Sequence, residues 1–184
     1  MKKRFFLGFK IPRSIIETIS MIKTTFNDSQ QNFKWVSGNN LHLTLLFLGE
    51  HKTDQISKIS KIIDKTLQDY SDFIFSIHGT GTFSDDRILW LGIDKGRDEL
   101  VAINYELQMQ LREYINYINN NKFNPHITIA RKKKDCIHNK IDVKNFMNSV
   151  YFPIEFHVNF FTLFESKIIN NKVHYKRIKE FNLT

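Results

Sequence analysis

Residues 41–49 (LHLTLLFLG) and 125–130 (PHITIA) decide how this chain is read. Each sets a histidine and a threonine two residues apart inside a run of Leu or Ile: His42 with Thr44, and His126 with Thr128. Short, strongly apolar runs of this kind are buried strands. Side chains alternate across a strand, so His42 and Thr44 share one face while Leu43 and Leu45 share the other. His126 and Thr128 stand in the same way against Ile127 and Ile129. Each motif thus offers an imidazole and a hydroxyl about 7 Å apart, enough for both to reach one phosphate-sized group. A single such pattern is unremarkable in a chain with seven histidines. Two copies, both inside apolar strands and both followed by an aliphatic residue, point to one site built from both.

Placed side by side, the strands would bring two imidazoles and two hydroxyls to one cleft. Histidine gives and takes protons near neutrality. One neutral and one protonated imidazole make a base–acid pair. Threonine hydroxyls donate to non-bridging phosphate oxygens without carrying charge. The set suits in-line displacement at phosphorus and calls for no metal and no cofactor. Arg131 follows at the end of the second motif. Its odd offset from His126 points it to the opposite face of an ideal strand. A bulge would return it to the cleft, where a guanidinium fork would neutralise a phosphate. Lys132, Lys133 and Lys134 read as a solvated basic loop with a diffuse pull on RNA.

The rest of the chain sets limits. Hydrophobic residues make up 41%, including 17 Phe, which is ample for a packed core across 184 residues. The net charge of +8 favours an anionic, phosphate-bearing partner. A Lys-, Asn- and Ile-rich composition would produce the same excess without any ligand. The lone cysteine, Cys136, permits no internal disulfide and fits a reducing cytosol. The opening MKKRFFLGFKIPR is broken by Lys10, Pro12 and Arg13, so it reads as a strand and not as a signal peptide. No apolar run approaches the ~20 residues of a membrane span.

Strands are expected over 4–11, 32–36, 41–49, 72–83, 87–93 and 124–130. A closing hairpin is expected from 154–166 and 173–181, turning at Asn170-Asn171. Helices are expected over 12–26 with Pro12 first, from a cap at Thr53 to residue 67, over 97–118, and over 142–149. The order is α+β, and similar halves suggest a duplicated layout.

The residues also resemble a known family. The stretches RFFLGFKIP, WVSGNNLHLTLLFLGE, RILWLGI, FNPHITIAR and FTLFES are similar, nearly end to end, to the two-histidine phosphoesterases. Within these they resemble the RNA 2′,3′-cyclic phosphodiesterases formerly described as 2′-5′ RNA ligases. The resemblance implies a single domain over 1–184, with two intertwined lobes related by a pseudo-twofold axis. Two antiparallel-rich sheets, flanked by helices, would enclose a central cleft. It implies metal-independent hydrolysis of RNA 2′,3′-cyclic phosphate ends to 2′-phosphates. His42 would be the general acid on the departing O3′, His126 would assist water, and Thr44, Thr128 and Arg131 would hold the phosphate. The expected partner is RNA with a 2′,3′-cyclic phosphate end or a small cyclic nucleotide, with no membrane. The expected location, from the cysteine usage, is cytoplasmic, and the expected state is a monomer. Relative to that family, residues 116–122 (NYINNNK) lack the expected Gly or Pro, and the late turn carries Asn in place of Gly.

Two other readings stay open: a module that binds nucleotides or RNA ends without turnover, and a related phosphoesterase acting on 2′-5′ linkages or small cyclic phosphates. His51, His78, His138, His157 and His174 have no partner motif and read as surface or packed residues. Gly79 and Gly81 lack the rest of a nucleotide-binding fingerprint. Neither a zinc motif nor a G-x-S-x-G nucleophile occurs. Phe5, Phe9, Trp35 and Trp90 read as core, with one or two at most free to stack on a base.

Overall fold

The seam between the two motif strands organises the fold. The computed structural model describes residues 1–12, 14–24, 31–115, 123–136, 142–149, 151–170 and 172–184. The described strands are β1 (Lys3–Lys10), β2 (Phe33–Trp35), β3 (His42–His51), β4 (Phe73–Phe83), β5 (Ile88–Ile93), β6 (His126–Lys132), β7 (Ile154–Val158), β8 (Phe160–Ile169) and β9 (Lys172–Asn182). The helices are α1 (Ile15–Thr24), α2 (Thr53–Leu67), α3 (Arg97–Gln110) and α4 (Lys144–Met147). The strands run β7-β4-β5-β6-β3-β1-β8-β9, with β2 added on β6, and the pairings are antiparallel. One half ends in β6 and the other in β3. They meet through a single residue pair, Leu43 with Ile127.

Both residues of that pair are 0% exposed. Behind them lies the core: Leu45 and Ile129 of the motif strands, Ile56, Ile59, Ile63 and Leu67 of α2, and Leu100, Ile103 and Leu107 of α3. The three- and four-residue spacing of these Ile and Leu gives each helix one apolar stripe. The sheet supplies the complementary surface, which leaves its other face for the polar motif residues. Gly8 is needed at the crossing of β1 and β3. A Cβ there would collide with the Leu43 carbonyl oxygen, so only glycine lets β1 press against the motif strand. Among the described residues, no helix is long and apolar enough to cross a membrane.

Most expected elements are present, with four differences. The first helix begins at Ile15, after Pro12, and Arg13 and residues 25–26 lie outside the described part. Thr53 is the first residue of α2 and not its cap; Lys52 holds the cap position, its N–H donating to Gln55 Oε1 at 3.0 Å. Helix α3 stops at Gln110 with a turn to Ile115, and residues 116–118 of the expected helix lie outside the described part. The loop 116–122 and His138 lie outside it too.

The fourth difference is the largest. The single strand expected over 154–166 is two strands. β7 pairs with β4 at one edge of the sheet, and β8 lies between β1 and β9 in the other half. The break is at Asn159, whose carbonyl accepts from Leu183 N–H at 2.9 Å. Alternation alone shows no interruption here, because the change is one of partner and not of local conformation. The β8–β9 hairpin turns as expected, with Asn170 at φ 50°, while Asn171 lies outside the described residues.

Candidate active site

In an antiparallel ladder, the neighbours of a paired couple face each other across the strands. Through Leu43 and Ile127, that register sets His42 opposite Thr128 and Thr44 opposite His126. The two aliphatic residues point into the core. The four polar ones therefore share the reverse face, arranged with approximate twofold symmetry about the pair. All four are half-buried.

The rings are fixed in matching ways. His42 Nδ1 lies 2.6 Å from the Asn40 carbonyl oxygen, and His126 Nδ1 lies 2.8 Å from that of Asn124. A carbonyl only accepts, so Nδ1 carries the proton in both rings. This leaves both Nε2 atoms for chemistry: a lone pair when the ring is neutral, an N–H when it is charged. Burial lowers the pKa of both histidines below the ordinary value, and the carbonyl bonds partly offset this. The charge of Arg131 lowers both further, and that of His126 also lowers His42. His42 and His126 thus sense the same guanidinium, as does Tyr175 of β9.

The position of Arg131 is explained by a bulge. Against β5, Thr128 pairs with Trp90 and Ala130 with Leu89, so Ile129 is the extra residue. Ile129 and Ala130 are both buried, and the alternation then resumes one step out of phase, with Arg131 exposed. The offset of five is thereby converted to the cleft face. β3 has the same irregularity: against β1, Thr44 pairs with Gly8 and Leu46 with Leu7, which leaves Leu45 over. The residue equivalent to Arg131 is then Phe47, which is 69% exposed. The duplicated frame therefore carries a cation on one side and a phenyl on the other.

Each bulge carbonyl is satisfied from outside its own ladder. Val36 N–H donates to Ile129 O at 2.8 Å, and Asn104 Nδ2 of α3 donates to Leu45 O at 2.7 Å. Asn104 is 4% exposed, and its Oδ1 accepts from Gln108 Nε2 at 2.7 Å. The sequence did carry a signal for it: Asn104 is a polar residue four places after Leu100, on the stripe that should be apolar. Replacing Asn104 by Leu strands the Leu45 carbonyl in the core. Chemical denaturation should show a loss of about 1–3 kcal/mol.

Aromatic rings flank both histidines. His42 sits 4.9 Å from Phe6 and 4.8 Å from Tyr175, and His126 sits 4.9 Å from Phe83 and 6.2 Å from Trp90, all between ring centroids. Trp90, expected in the core, is half-buried at the cleft. Its ring lies over Gly81, where any Cβ would strike it. Phe5 and Phe9 are buried as expected. His51 is packed, with Nε2 2.8 Å from Leu48 O, and His157 pairs with Asp72 at 3.1 Å on the surface. Lys133 and Lys134 are exposed, whereas Lys132 is half-buried at the end of β6. Among the described residues, no three His, Cys, Asp or Glu side chains are grouped so as to hold a metal ion.

A profile of the 2′-5′ RNA ligase superfamily matches residues 11–167. The chain belongs to this superfamily. Relatives named RNA 2′,3′-cyclic phosphodiesterase support the assignment to this branch of the two-histidine phosphoesterases. That of Aquifex aeolicus is 32% identical over 134 residues, 71% of either chain. That of Escherichia coli is 27% identical over 99% of this chain and 97% of its own. That of Thermotoga maritima is 37% identical over 102 residues, with the match spanning about half of each chain (54%). A crystal structure of a phosphoesterase superposes with a TM-score of 0.78 at 25% identity, covering 100% of this chain and 99% of that one. Escherichia coli LigT in apo form gives 0.76 at 24%, covering 100% and 98%. The α+β frame of two strand-rich halves around a cleft is that of the superfamily.

Proposed function

We propose that this protein hydrolyses 2′,3′-cyclic phosphate ends of RNA to 2′-phosphates, with His42 as general acid and His126 as general base. The observation that carries the reading is the matched anchoring of both rings at Nδ1, which leaves two Nε2 atoms on the face shared with Thr44 and Thr128. The names of the relatives across several species agree with it. His126 Nε2 takes a proton from water, and the water oxygen forms a bond to phosphorus on the side opposite O3′. The P–O3′ bond breaks as His42 Nε2–H hands its proton to the leaving oxygen. Thr44 and Thr128 donate to the non-bridging oxygens, and Arg131 offsets their charge. Since one motif comes from each half of the sheet, residues 1–184 act as a single unit.

The test is product analysis with a cyclic-ended oligoribonucleotide, a 2′-5′-linked oligomer and a small cyclic nucleotide in parallel. A 2′-phosphate product from the cyclic-ended RNA is expected. Binding without turnover would instead make the protein an RNA-end receptor, and preferred cleavage of the 2′-5′ linkage would reassign the substrate. Both proton transfers are assigned to imidazoles, so EDTA should leave the rate unchanged. Loss of activity in chelator that divalent metal restores would refute the mechanism.

A further inference from the structure

Beside His42, and away from the seam, lies a cavity of about 120 Å³. Lys10, Asn39, Asn40, Tyr175 and Arg177 line it together with His42, and Phe6 and Phe164 close its apolar side. At roughly 30 Å³ per water it holds about four waters, room for a phosphate group but not for a nucleoside. The strand registers place its cations. Lys10 pairs directly with His42 across β1 and β3, and Arg177 pairs with Phe164, which in turn pairs with Phe6. Asn40 braces the rim, its carbonyl accepting from His42 Nδ1 and its Nδ2 donating to Val173 O of β9 at 2.8 Å. Arg177 also meets Glu180 at 3.3 Å, but both side chains are exposed, and such a pair offers little resistance to exchange.

Among the described residues the other half shows no counterpart. The position opposite His126 on β5 that matches Lys10 is Gly92, and the one that matches Phe6 is Ile88. The duplicated frame offers two equivalent places for a cation beside a histidine. Among the described residues only the one opposite His42 is filled, by Lys10, where Gly92 stands opposite His126. Chemistry gives this asymmetry a direction. When the cyclic phosphate opens, the oxygen that His42 protonates stays on the ribose. The ribose, and everything attached to its 5′ carbon, therefore lies on the His42 side, and water enters from the His126 side. The 5′ carbon of an RNA end carries a phosphodiester.

Resting on the reading of His42 as the acid, we infer that the cavity is a subsite for the phosphate 5′ to the terminal nucleoside, held by Lys10 and Arg177. The protein thereby selects polymer ends over free nucleoside 2′,3′-cyclic phosphates. Three probes test this: adenosine 2′,3′-cyclic phosphate, its 5′-phosphorylated form, and the diadenosine dinucleotide with a 2′,3′-cyclic phosphate end. For the wild-type protein, kcat/KM for either 5′-phosphate-bearing probe should exceed that for the first by about tenfold or more, mainly through KM. In the Lys10→Met, Arg177→Met double variant the ratio should collapse toward one. An advantage confined to the dinucleotide that survives in the double variant would mean that the second nucleoside, and not the phosphate, is recognised. Turnover of all three probes at equal kcat/KM by the wild type would overturn the subsite while leaving the phosphodiesterase reading standing. No turnover of any would bring down both.

Discussion

Replacing His42 or His126 by alanine should each reduce turnover of a cyclic-ended oligonucleotide about 10²–10⁴-fold. The double variant should be little worse than the poorer single, because an acid and a base serving one displacement act as a unit. The fold should survive: both rings are half-buried on the cleft face, and the strands are anchored from behind by Leu43 and Ile127. Unchanged denaturation midpoints would establish this. The two roles can be separated by the leaving group. A phosphodiester that releases 4-nitrophenol departs without a proton, so His42→Ala should recover most of the wild-type rate on it while His126→Ala should not. Equal recovery by both variants would contradict the assignment, and recovery by His126→Ala alone would reverse it.

Substituting Arg131 by Gln should lower kcat/KM about 10–100-fold, through the loss of a charged donor to the phosphate. It should also move the pH profile. Burial and the guanidinium both disfavour the imidazolium, so His42 and His126 lie below the ordinary value of 6.5 in the free protein. The reactive form carries one proton on the pair, and kcat/KM reports the pair's two apparent pKa values in the free enzyme. The optimum of the native protein should therefore fall on the acid side of 6.5. Removing the positive charge raises both values, which shifts the whole bell to higher pH. A shift to lower pH, or none, would show that Arg131 does not act on the rings.

What could be read in advance follows from the range of the interactions. The faces of the two motifs were legible because alternation is a property of consecutive residues. The stripes of α2 and α3 were legible for the same reason at a different period. Asn104 broke its stripe visibly, yet its partner, the Leu45 carbonyl, lies 59 positions away, and no spacing rule reaches that far. Strand 154–166 divided at Asn159 because its two parts found different partners, and its residue types carry no record of that.

The sequence by itself settled which side chains face together within each strand, and hence the chemistry available: two imidazoles, two hydroxyls and a nearby cation. Only the tertiary structure decided that β3 and β6 meet at Leu43 and Ile127, that a bulge at Ile129 swings Arg131 into the cleft, and that Lys10 and Arg177 gather on the His42 side. The physical reason is that strand orientation is written in local sterics. Register and bulges, by contrast, are settled by which distant backbone supplies the missing hydrogen bonds.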